Sequence, residues 1–167
     1  MPFSRPIHRR NLRRGLVSAL CAGAVCATAD CAQDPLLDEA TWQVTAIYTE
    51  PGQPAAIPAP AAGIALLAFG KSTISGFTGC VPIQAMASYF DDHGQHTSAA
   101  QASRMELNQV TIANAEPSCE GPARHVHDEL VPLLHGAFKI SHVGSTEIVL
   151  TQDVPAIDAP AIRMAAS

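Results

Sequence analysis

Cys80 and Cys119 are the residues of this chain whose type and placement carry the most definite chemistry. Cys80 ends the stretch Gly76-Phe77-Thr78-Gly79-Cys80 at an expected strand end, and Cys119 stands just before an expected helix. Outside the cytosol, two cysteines in folded segments read as a disulfide before they read as a metal pair. Closing a loop of about 40 residues stabilises by roughly 4 kcal/mol in the chain-entropy description. A second chemistry stays open for Cys119, because a thiolate ahead of a helix N-terminus is an activated nucleophile.

The other constellations are weaker. His125-x-His127-Asp128 collects metal-ligand types, but residues two apart on a helix point about 200° away from each other. Those histidines cannot share one ion and read as a solvated helix face. Asp91-Asp92-His93-x-x-His96 has donors for a divalent cation, yet its composition reads first as a polar turn. Ser75-Gly76 and Ser118-Cys119 lack the strand-to-helix Gly-x-Ser-x-Gly setting of a hydrolase elbow. No glycine loop is spaced to cradle phosphate, and no carboxylate pair is placed for acid–base work. The expectation is a non-enzymatic protein with no catalytic residue, no cofactor and no metal site.

The 167 residues are 47% apolar and 15% charged, which describes one globular domain rather than a disordered chain. Residues 1–29 read as a signal peptide. Arg5, Arg9, Arg10, Arg13 and Arg14 form a basic start, a short apolar run follows, and Ala27-Thr28-Ala29 offers a small-x-small cleavage site. His8-Arg9-Arg10-Asn11-Leu12 resembles a twin-arginine signal, and Arg13 departs from it, so the route stays open between Sec and twin-arginine export. Cys21, Cys26 and Cys31 each follow a residue that makes a poor lipidation site (Leu20, Val25 and Asp30). Cys31 is left over as free, lipidated or intermolecular.

From Asp30 onward the chain has five Lys and Arg against fifteen acids, a net charge of −10. Such a surface repels nucleic acid and anionic headgroups, which excludes a nucleic-acid partner. The mature part has no apolar run long enough for a membrane span. An envelope partner or a small apolar ligand remains as a candidate.

These side chains need elements to position them. Residues 30–40 read as an acidic tail, and 41–48 as a strand with Trp42, Val44 and Ala46 on one face. Pro51, Pro54, Pro58 and Pro60 mark a surface loop. Strands are expected at 64–69, 72–77 and 83–90, and residues 105–114 form one with mixed faces. Residues 97–103 are ambiguous between a weak strand and an edge. Pro122, Val126, Leu130, Leu133, Leu134 and a stop at Gly136 mark one helix, which Pro132 should end early. Strands return at 137–143, 147–152 and 161–164. Trp42, Phe69, Phe77, Tyr89, Phe90 and Phe138 read as core. The order predicts an α+β fold: a mostly antiparallel curved sheet, or a small β-barrel, packed around one α-helix.

Thr41-Trp42-Gln43-Val44, the Gly76-x-x-Gly79-Cys80 motif, Cys119 ahead of Leu130-x-x-Leu133-Leu134-x-Gly136, and Glu147-Ile148-Val149-Leu150-Thr151 occur in that order. This series resembles the META domain (HslJ-like) family of bacterial envelope proteins over residues 41–164. The family has Asn directly after the first cysteine, where this chain has Val81. It approaches the second cysteine through Thr-x-Met-x-Cys, where this chain has Ala115-Glu116-Pro117-Ser118-Cys119. The resemblance implies export, often as a lipoprotein, and a loose link to stress tolerance, without catalytic residues. The expected function is a secreted or envelope-associated non-enzymatic protein stapled by Cys80–Cys119. The alternative is a carrier for a small apolar ligand in a barrel interior.

Overall fold

Alternation of apolar and polar side chains builds nine strands among the described residues: β1 (Thr41–Glu50), β2 (Gln53–Ala56), β3 (Leu66–Phe69), β4 (Thr73–Phe77), β5 (Pro82–Phe90), β6 (Arg104–Ile112), β7 (Gly136–Val143), β8 (Glu147–Gln152) and β9 (Ala161–Ala166). One α-helix, α1 (Gly121–Leu130), lies between β6 and β7. The computed structural model describes residues 37, 38, 40–50 and 53–167. The expected signal peptide, Cys31 and most of the acidic tail therefore lie outside the described residues.

Every strand pairs antiparallel to its neighbours in the order β1-β3-β4-β5-β6-β7-β8-β9, and β9 pairs back onto β1. The result is a closed eight-stranded barrel. The short β2 is appended to the half of β1 that β3 leaves free, through Ala46↔Ala56 and Ile47↔Ala55. Of the two expected forms, curved sheet or small barrel, the barrel is the one found. Its helix covers one mouth instead of forming a second layer.

Inward positions follow the two-residue period. Ile83, Ala85, Ala87 and Tyr89 on β5 are buried, as are Phe138 and Ile140 on β7 and Ile148 and Leu150 on β8. These join Trp42, Leu67, Ile74, Met105, Ile162 and Met164 in one core cluster. Eight strands leave room for side chains to fill the bore. A bulge in β1 changes its phase between Val44 and Ala46, so Ile47 takes the inward place expected of Ala46.

The loop expected at 51–60 carries β2 and a turn of 3-10 helix at Ala59–Ala61. Pro54 is accommodated there because an edge strand needs no donor on its outer side. The ambiguous stretch 97–103 holds a 3-10 turn, Ala99–Gln101. Pro132 ends α1 early as expected, and Val131–Leu133 continues as one 3-10 turn. Leu37, expected in the tail, is buried, and its carbonyl accepts a hydrogen bond from Trp42 Nε1 at 3.0 Å.

Candidate functional site

Thr78, in the turn between β4 and β5, is fully buried and organises the mouth that α1 covers. Its backbone N–H donates to the Val81 carbonyl at 3.0 Å, and its Oγ1 accepts from Val81 N–H at 3.2 Å. The same hydroxyl lies 2.7 Å from Nδ1 of His127 on α1. His127 is therefore a buried partner of the turn, not the solvated residue expected. His125, two positions earlier, is exposed, and Asp128 is paired with Arg124 at 2.9 Å.

Cys80 and Cys119 are joined in a disulfide, with their Cα atoms 5.7 Å apart. The link ties the β4–β5 turn to the residue pair that leads into α1. In this bonded form neither sulfur is a thiolate. Gly79 adds a third contact. It has φ +106°, and a methyl group there would lie 2.9 Å from the Ala123 carbonyl oxygen of α1. At Gly76 a methyl would run into the Leu66 carbonyl and Leu67 of the neighbouring strand. Both glycines permit close backbone approach. Val81, standing where the resembled family has Asn, is buried and closes the turn through its backbone.

The Asp91 segment is a turn. Asp91 Oδ1 accepts from the backbone N–H groups of His93 and Gln95 at 2.9 and 2.8 Å, and the His96 ring packs 4.6 Å from Phe90. Among the described residues, no three His, Cys, Asp or Glu side chains gather where they could hold a metal ion.

Phe77, expected in the core, is 37% exposed. On β4 the inward places belong to Ile74 and Gly76, so Thr73, Ser75 and Phe77 face out. That outward face borders a hollow of about 420 Å³ over β4, β5 and β6. Its lining side chains include Thr73, Ser75, Gln84, Met86, Gln109 and Thr111. Gln109 occupies a bulge, where one extra β6 residue is accommodated opposite the β5 span from Gln84 to Met86. It is the one non-glycine residue with positive φ, 49°, among those described.

Sequence reasoning did not single out this hollow. A signal for its bulge is present, since the apolar phase of β6 switches from Met105 and Leu107 to Val110 and Ile112.

Charged groups cluster elsewhere. Asp153 meets Arg104 at 2.6 Å and Lys139 at 3.2 Å. The Lys139 hydrogen bond, followed by the charges of Lys139 and Arg104, holds the Asp153 carboxyl below its ordinary range. Arg163 pairs with Glu147 across β8 and β9. Burial, with a smaller contribution from Asp38, pushes the Tyr89 phenol up to about 12.

No protein family matches this sequence, and no curated protein does either. Among solved structures, the chain is similar to the NMR structure of a protein from Burkholderia xenovorans. The TM-score is 0.54 at 14% identity, over 96% of this chain and 99% of that one. The likeness is one of fold.

Proposed function

We propose that the chain is an exported, disulfide-stapled barrel domain of the META (HslJ-like) kind, acting by binding in the cell envelope or outside the cell and catalysing no reaction. The observation that carries this reading is the Cys80–Cys119 link between a strand turn and the helix over the barrel mouth. Such links persist in oxidising compartments and are rare in the cytosol. The order of motif glycines, first cysteine, second cysteine and helix supports the same reading, and stress tolerance enters as the setting the resemblance implies.

Carriage of a small apolar ligand would need an interior hollow of about 300 Å³ or more. The inward side chains of the described residues form one continuous cluster, so no observation favours that alternative. The exported reading is tested by mass spectrometry of non-reduced peptides from protein recovered from its native compartment. Cys80 and Cys119 are expected in one linked peptide, with the mature N-terminus near Asp30. Both thiols free in that sample would sink the reading.

A further inference from the structure

We infer that the outward hollow over β4, β5 and β6 is a binding site for a neutral oligosaccharide. The inference rests on the reading that the chain acts by binding, and it names the chemistry bound. Its first support is charge. None of the side chains lining the hollow is ionisable, although residues 30–167 carry fifteen acids and five Lys and Arg. A phosphate or carboxylate ligand would call for Arg or Lys, and a hard cation would call for carboxylates.

The second support is the kind of polar group present. Gln84 and Gln109 each offer two donors and an acceptor in one plane, and Ser75 and Thr111 each offer a hydroxyl that donates and accepts. Vicinal sugar hydroxyls also donate and accept, so they match this supply group for group. Beside these amides lie apolar surfaces that would otherwise be expected inside. Met86 is 42% exposed in the hollow, and Phe77, 37% exposed, stands outside its lining, two residues beyond Ser75 on the same face of β4. A thioether and an aromatic ring suit the C–H face of a pyranose. The volume of about 420 Å³ falls within the range of small-molecule sites.

The third support is Gln109 itself. A left-handed conformation is unfavourable for any residue with a Cβ, and glycine would adopt it freely. The bulge nevertheless holds a glutamine there, and that amide lines the hollow. A strained position whose amide lines the hollow is where the inference places a ligand contact.

The test is a titration of the ¹⁵N-labelled, oxidised protein with maltotriose, cellotriose and triacetylchitotriose, using trigalacturonic acid as the charged comparison. At least one neutral sugar is expected to move the amide signals of Ser75, Gln84, Gln109 and Thr111, and the acid is not. Gln84→Ala is expected to lower the affinity at least about fivefold with an unchanged thermal midpoint. Gln109→Gly is expected to raise the thermal midpoint while lowering affinity by a similar factor, a pairing that a purely structural glutamine would not produce. The inference is overturned if none of the three neutral sugars shifts these signals at about 20 mM, if the acid binds equally well, or if both variants bind like the parent. Those outcomes with the Cys80–Cys119 link intact leave the exported-barrel reading standing. Free thiols in the native compartment remove that reading whatever the sugars do.

Discussion

Thr78 joins two parts of the molecule through one hydroxyl: the β4–β5 turn, which it closes on the backbone of Val81, and the ring of His127 on α1. Thr78→Val keeps the shape but leaves buried groups on both sides unpaired, an expected loss of about 1–3 kcal/mol in urea unfolding. Gly79→Ala should cost a comparable amount, about 1–3 kcal/mol, since it adds strain at φ +106° and crowds the Ala123 carbonyl. Tyr89 behaves in the opposite sense. Its hydroxyl is buried and has no hydrogen-bond partner among the described residues. The folded phenol ionises near 12 and an unfolded one near its ordinary 10.0, so its contribution to stability is present below pH 10 and lost as pH rises towards 12. Tyr89→Phe is expected to be at least as stable as the parent at neutral pH, with a smaller alkaline decline. Parallel urea midpoints from pH 9 to 12 check this, and identical declines would refute it. His127 shows what the sequence could not convey at this scale. Its spacing from His125 correctly separates the two rings, but only the fold reveals that one of them is buried against Thr78.

At the scale of elements, α1 is short and has no side-chain cap at its start. Ten residues make a marginal helix alone, so its persistence depends on what holds it to the barrel. Val126 and Leu130 supply the packing, Gln152 Nε2 donates to the Leu133 carbonyl at 3.1 Å, and the disulfide supplies the covalent tie. Reduction, or Cys119→Ser, is expected to destabilise the domain by up to about 4 kcal/mol. Hydrogen exchange at the α1 amides should accelerate more than at β8. Equal protection of α1 with and without reductant would contradict the clamp.

Strands with a clean two-residue period were legible in sequence, and β8 was expected at the residues where it is found. Elements whose identity depends on a neighbour were not. β2 is a strand only because β1 offers it a free half-edge, and its proline reads as loop chemistry. Phe77 reads as core because aromatics usually are, but the small inward position at Gly76 puts it on the outer side. The hollow beside it was illegible for the same reason, since three strands must be placed side by side before Gln84 and Gln109 can line one surface.

The whole molecule depends on the seam between its first and last strands. β9 fits between β8 and β1, and it brings Ile162 and Met164, both fully buried, into the bore. Met164→Ala is expected to cost about 2–5 kcal/mol, near the whole stability of some small domains. Removing residues 161–167 should abolish the cooperative unfolding transition, because it uncovers both β1 and β8. A truncated chain that still unfolds in one sharp step would show that closure is dispensable. Neither composition nor periodicity announces such a seam, because each strand looks the same in an open sheet as in a closed one.

Synthesis runs from the N-terminus, so among the described strands β1 is made first and β9, which must flank it, is made last. Trp42 therefore waits with one side of its strand unpaired until β9 has emerged. Cys80, Cys119 and α1 are all complete well before that point. The loop that the disulfide closes lies wholly between the two seam strands in sequence, so the lid and the wall are fastened by separate events, and the bond can form in an oxidising compartment whether or not β9 has yet docked.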